Sequence, residues 1–189
     1  MEELFLVLIS SALINNIVVG HIVGTDPALV SMQRHNVSRD ISCTMLILLP
    51  ITTVIASASA QFILIPLQLQ HLQIFVFVML IIMITYALRT WSNPACKHGS
   101  KIVLPLAGIN STVLGTLLLN QLQQHHLFLS FVFGLGTAIG FALMLALLTA
   151  IHTRLEMADV PTPFRGPSIT LITLALISMA FLGFSGLVK

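Results

Sequence analysis

The chain has 189 residues, 57% hydrophobic and 7% charged, with a mean hydropathy of +1.02. A soluble domain carries about 25% charged residues, so a water-facing globule is excluded and lipid must be the main solvent. The formal net charge of +2 is taken up by membrane topology, and no nucleic-acid partner is expected.

Six stretches reach the roughly 20 apolar residues that a spanning helix needs. In chain order they are Leu4–Val23, Ile41–Ile65, Leu72–Leu88, Ile102–Leu119, Leu127–Ile151 and Ile169–Val188. None alternates polar and apolar residues as a barrel strand would. Backbone groups in hydrocarbon must bond within their own segment, so helices are expected. The first stretch opens on Glu2 and Glu3 and lacks the basic start and small-residue cleavage site of a secretory signal. The longest connectors, Gly24–Asp40 and His152–Ser168, leave no room for a soluble cofactor domain. The expectation is a single polytopic membrane domain over 1–189.

The eight Lys and Arg residues are distributed unevenly. Arg34, Arg39, Arg89, Lys97, Lys101, Arg154 and Arg165 lie after spans one, three and five, and Lys189 ends the chain. The loops near Gln68–His71 and Gln121–His126 have none. Positive loops stay cytoplasmic, which predicts both termini on the outer side.

Spans one and four differ from the rest. The first contains Asn15, Asn16, Gly20 and His21 and runs into Gly24-Thr25-Asp26-Pro27. The fourth contains Pro105, Gly108, Asn110, Ser111 and Gly115. Ile14-Asn15-Asn16-Ile17-Val18-Val19-Gly20 reads against Ile109-Asn110-Ser111-Thr112-Val113-Leu114-Gly115, 95 residues further on. Similar composition alone could produce such a match. With three spans in each half, however, it points to two inverted repeats, 1–95 and 96–189, with interrupted helices one and four meeting near the bilayer midplane. Asn15, Asn16, Asn110 and Ser111 are the candidate midplane residues, because an unpaired amide in hydrocarbon is costly. Helix–helix packing, in which Asn and Ser act as interhelical glue, is the competing reading. Asp26 suits either an interfacial carboxylate or a cation ligand.

Other candidates carry less. His21, His125 and His126 could ligate a metal, but the last two are adjacent in a loop. Cys43 and Cys96 lack a metal or redox spacing. Ala158-Asp159-Val160-Pro161-Thr162-Pro163-Phe164-Arg165-Gly166 cannot be continuous helix, because of its two prolines. Asp159 and Arg165 are expected to bracket a rigid turn. That turn, with Phe164, is either a tight connector or a partner-docking surface.

The Leu13–Asn16 run, the Asn110–Gly115 run, the Ala158–Gly166 motif and the Gly183-Phe184-Ser185-Gly186-Leu187 end together resemble the RnfA/NqrE family. Its members are membrane subunits of the Rnf electron-transport complex and of the Na⁺-translocating NADH:quinone reductase, and the Rnf branch is the nearer. The resemblance covers nearly the whole chain. It implies a bacterial inner-membrane subunit of an ion-translocating oxidoreductase, with both termini periplasmic. It also implies an inverted homologous partner (RnfE or NqrD), further Rnf-type subunits, and electron transfer coupled to Na⁺ or H⁺ movement. In the family, four cysteines from the two homologous subunits hold an iron–sulfur centre. This chain departs there. Its first motif reads Gly24-Thr25-Asp26-Pro27-Ala28 and its second Asn110-Ser111-Thr112. Asp26 and Ser111 stand where the family has its ligand cysteines. Thiolates are the usual ligands of such centres, so the ligand role does not carry across, and an altered or lost redox role is expected. A transporter or channel subunit, or a structural assembly subunit, keeps the same scaffold without electron transfer.

Overall fold

The computed structural model describes residues 2–14, 16–21, 35–91, 110–123, 126–159, 161 and 164–183. Among these the chain is helical throughout, without strands. The elements in order are α1 (Glu2–Ile9), a π-helical turn (Ser10–Ile14), α2 (Ile17–His21), α3 (His35–Ser59), a second π turn (Ala60–Leu64), a 3₁₀ turn (Gln70–Leu72), α4 (Gln73–Trp91), α5 (Ser111–Leu122), α6 (Leu127–Glu156) and α7 (Pro167–Leu182).

Among the described residues, three helical stretches are long and apolar enough to cross a membrane: Ser38–Leu64, Gln70–Leu88 and Leu127–Leu155. They correspond to the second, third and fifth stretches read from sequence. Leu4–Leu13 and Ser168–Leu182 form shorter apolar helices. Only the second half of the fourth stretch, as α5, falls within the described residues. Large apolar side chains such as Phe5, Ile47, Phe62, Phe75, Met79, Met83, Phe128 and Met179 point outward. On a protein in water so wide an apolar surface would drive association. In lipid it is the expected exterior.

The centre of the molecule is the α3–α6 pair. The two helices run antiparallel. Ser38 bonds Thr149 at one end (3.0 Å) and Ser57 bonds Ser130 at the other (2.8 Å). Gly134 backs onto Thr53 between them. In all three pairs the residue numbers sum to 187, as a constant antiparallel register requires. A Cβ on Gly134 would lie 3.0 Å from the Pro50 Cα and 3.1 Å from the Leu49 carbonyl oxygen. Glycine is therefore what lets the two backbones approach, in the small-residue manner of membrane helices. Met45, Leu48, Leu49, Phe141, Met144 and Leu145 fill the seam. The second end also holds Asn120 of α5. Its Nδ2 donates to Ser57 (2.7 Å) and Ser130 (3.1 Å), so three helices share one buried polar knot.

Around this pair, α1 and its π turn pack on α6. Helix α2 touches α5, α6 and α7, and α5 packs on α3 and α4. The two short helices whose sequences look alike are thereby brought against each other.

Candidate functional site: two helix tips

The first apolar stretch does not run through as one helix. Its α-helix ends at Ile9, continues as a π turn to Ile14, and restarts at Ile17. Asn16 stands at the restart, 1% exposed. Its Oδ1 accepts the Val18 N–H (3.1 Å), and its backbone carbonyl accepts from Val19 and Gly20. This is an N-cap: a side-chain oxygen meets a backbone donor that the first turn leaves open. The amide's other end is also engaged. Nδ2 donates to the carbonyl of Ala12 and to that of Gly140 on α6, both at 3.0 Å. Asn16 thus joins the two pieces of the interrupted helix and ties them to α6.

Glycines make that tie possible. Gly136 and Gly140 lie one helical turn apart on the face of α6 toward α1. A Cβ on Gly140 would stand 2.5 Å from the Ala12 carbonyl oxygen and 2.9 Å from Asn16 Nδ2. A Cβ on Gly136 would meet Ser11 Oγ and come within 2.9 Å of the Leu8 carbonyl. At the far side of α2, Ser178 of α7 donates to the Val19 carbonyl (3.0 Å). Carbonyls left open by so short a helix thus find partners on neighbouring helices, as hydrocarbon requires.

The second tip begins at Asn110, which has extended backbone (φ −85°, ψ 138°) and caps α5. Its Oδ1 accepts the Thr112 N–H at 3.2 Å, and the Asn110 carbonyl accepts from Val113 at 3.1 Å. The cap repeats that of Asn16: in each, a side-chain oxygen takes the amide two residues on. The matched caps are 94 residues apart, one fewer than the offset in the sequence alignment. Asn16, not Asn15, is therefore the local counterpart of Asn110.

The other ends of the two amides differ. Asn110 Nδ2 is buried without an acceptor among the described residues, and so is the Thr112 hydroxyl beside it. Asn110 is 5% exposed and Thr112 0%. Ser111 is exposed, and its hydroxyl donates to Asn110 Oδ1 at 3.4 Å.

Of the residues singled out from sequence, Asn16, Asn110 and Ser111 therefore sit on two neighbouring helix tips. Asn15 and Asp26 lie outside the described residues. So do His125 and Cys96, while Cys43 is exposed on α3 and His126 begins α6. Among the described residues no three His, Cys, Asp or Glu side chains gather as a metal site. Asp159 and Arg165 do face each other across the proline turn. The pair is 4.0 Å apart and largely solvent-exposed, which contributes little to stability. The turn is set more firmly by Gly166, whose φ of +89° suits glycine, with Pro167 at the first position of α7. Phe164 and Met157 are exposed there.

Sequence reasoning missed three features: the Gly136/Gly140 face, the Ser178 contact and the Asn120 knot. The glycine spacing was legible as a small-residue motif. The identity of the helix it receives was not.

Residues 4–188 match the family described as Rnf-Nqr subunit, membrane protein. The chain belongs to the Rnf-Nqr family of membrane subunits. Full-length relatives agree. The chain is 39% identical over 193 residues to a protein of Edwardsiella ictaluri and 38% identical over 192 residues to one of Pseudoalteromonas translucida. It is 37% identical over 193 residues to one of Alkalilimnicola ehrlichii. Each match covers 100% of both chains, and each relative is named as the A-type subunit of an ion-translocating oxidoreductase complex. Asn16 and Asn110 are thus the caps of two short helices in a membrane subunit of this family.

Proposed function

We propose that this chain serves as the A-type membrane subunit of an ion-translocating oxidoreductase complex, supporting electron transfer coupled to Na⁺ or H⁺ movement. The observation that carries the reading is the full-length similarity to proteins named for that role, joined to paired capped helix tips within an apolar helical body. In this reading the chain crosses a bacterial inner membrane six times, with both termini periplasmic. Residues 1–95 and 96–189 form inverted three-helix halves. The matched caps at Asn16 and Asn110 and the contact between α2 and α5 support that arrangement. An inverted homologous subunit (RnfE or NqrD in type) faces the tips, and the exposed turn with Asp159, Phe164 and Arg165 receives a second partner.

The residues at the α5 tip do not fit an iron–sulfur ligand. Ser111 offers a hydroxyl, and that hydroxyl is turned onto Asn110 Oδ1. Asn110 directs an amide N–H, a group without a lone pair for a metal. No electron-transfer step is therefore assigned to this tip. The same observation favours a second reading, in which the chain is an assembly subunit that keeps the scaffold without carrying electrons.

The test is purification of the complex through a tag on the full-length chain. Flavin- and iron–sulfur-containing subunits are expected to come with it. Recovery of a homodimer alone, active in ion flux, would overturn the proposal in favour of a transporter. Iron per copy, with an electron paramagnetic resonance spectrum, separates an electron-carrying from an assembly role.

A further inference from the structure

Three departures from a plain helix bundle fall at one level of the molecule. In α3, Pro50 has no N–H for the carbonyl four residues before it, and a proline inside a helix kinks it. Just beyond it, the Thr52 and Thr53 hydroxyls bond the carbonyls of Leu48, Leu49 and Pro50, and back-bonding of this kind bends helices. The antiparallel register puts Pro50 opposite residue 187 − 50 = 137, which is Thr137 of α6. Thr137 lies in the stretch that holds Gly134, Gly136 and Gly140. Against two of those glycines lies the π turn of the first stretch, through Ser11 and Ala12. Proline, small residues and π turns are the usual causes of bending in long helices. At this level the α3 and α6 backbones meet, since a Cβ on Gly134 would touch Pro50 Cα at 3.0 Å. A backbone contact across a glycine has no interlocked side chains, so it allows rotation.

The two ends beyond this level are fastened unequally. At one, Asn120 donates to Ser57 and Ser130, and Ser57 donates to Ser130, so three helices share three hydrogen bonds. At the other, Thr149 donates its own proton to the Leu145 carbonyl. Ser38 is therefore the donor to Thr149, and that is the one polar link between α3 and α6 at this end among the described residues. The rest of that seam is apolar, with Ile41, Met45, Met144 and Leu148 in the shared core. Apolar surfaces part without leaving polar groups unpaired. Ser38 lies 50 − 38 = 12 residues from Pro50, and Ser57 lies 57 − 50 = 7 residues from it. Along a helix these are arms of about 18 and 10 Å. The weakly fastened arm is the long one.

We propose that α3 and α6 work as a scissor with its pivot at the Pro50–Gly134 contact, in which the Ser38–Thr149 clasp releases while the Ser57–Ser130–Asn120 knot stays shut. The device is built from this chain's own helices and does not depend on the chain working inside a complex.

Paired spin labels read both arms in the full-length chain, reconstituted in lipid nanodiscs. Cys43, exposed on α3, is labelled together with Ala150→Cys on α6, in a Cys96→Ser background. The other arm takes Phe62→Cys with Phe128→Cys, with both native cysteines replaced by serine. All four labelled positions are exposed, so the core is left alone. Two distance populations are expected for the Cys43–Ala150 pair and a single narrow distance for the Phe62–Phe128 pair. Ser38→Ala is expected to raise the ratio of longer to shorter distance roughly threefold, the effect of one hydrogen bond between membrane helices. Pro50→Ala is expected to merge the populations at the shorter distance. One narrow distance at the Ser38 end of the wild-type chain would overturn the scissor. So would equal broadening at both ends, which marks general looseness, or unchanged populations in Ser38→Ala. Two populations that survive Pro50→Ala unaltered would overturn the pivot.

Discussion

The two helix tips use the same residue to opposite ends. At both, an asparagine oxygen caps a helix that begins inside an apolar stretch. At the first, the amide nitrogen bridges Ala12 and Gly140, and the tip is closed. At the second, the nitrogen has no acceptor among the described residues. The difference follows from the neighbours. Helix α6 presents Gly136 and Gly140 to the first tip, and their missing side chains let the two backbones come within bonding distance. Helix α5 packs on α3 and α4 and also touches α2 and α6, and none of them supplies the Asn110 amide with an acceptor among the described residues. The same cap therefore leaves one amide fully bonded and the other buried with an N–H that meets no acceptor among the described residues. A short capped helix in a membrane is thus not by itself a binding site.

Substitutions test that contrast. Asn16→Ala removes a cap worth about 1 kcal/mol and two hydrogen bonds of about 0.6 kcal/mol each on membrane scales. Unfolding of the purified chain in a denaturing detergent is expected to show a loss of about 2 kcal/mol. Gly140→Ala pushes a methyl group against the Ala12 carbonyl. Overpacking of this kind costs roughly 1–3 kcal/mol. A value in the lower half is expected, because only one backbone carbonyl must move. Asn110→Ala removes a cap and the long 3.4 Å contact from the exposed Ser111, so a loss of about 1 kcal/mol is expected in the same assay. If Asn110→Ala costs as much as Asn16→Ala, the contrast between a bonded and an unbonded amide fails. The smallest effect belongs to Ser178→Ala, which frees the Val19 carbonyl at a cost of about 0.6 kcal/mol. Slow-exchange protection of the α2 amides, followed by hydrogen exchange, is expected to fall with it while that of α5 stays constant.

Much of the fold is legible along the chain. Hydrophobic runs locate α3, α4 and α6, because a helix in lipid needs about 20 apolar residues and few other sequences satisfy that. The interruption of the first stretch is also legible, since Asn15-Asn16 in hydrocarbon demands partners. Which asparagine does the capping is not. Asn15 and Asn16 are chemically the same, and only the helix restart at Ile17 decides between them. Asp159 and Arg165 were expected to bracket a turn; they lie 4.0 Å apart, both exposed, beside Gly166 with its positive φ. Charge complementarity is visible in a sequence, whereas the distance across a turn is not.

By itself the sequence determined that this protein lives in lipid and is built of helices. Scarce charge leaves no water-facing surface, and hydrocarbon forces each backbone group to bond within its own segment. Residue identity also determined the chemistry at the second tip, where Ser111 offers a hydroxyl. Tertiary structure alone decided which polar groups were satisfied. Asn16 and Asn110 read alike along the chain, but a hydrogen bond to a carbonyl 124 residues away depends on which helix lies across from it. That is a matter of helix packing, set at the first tip by Gly140 on α6.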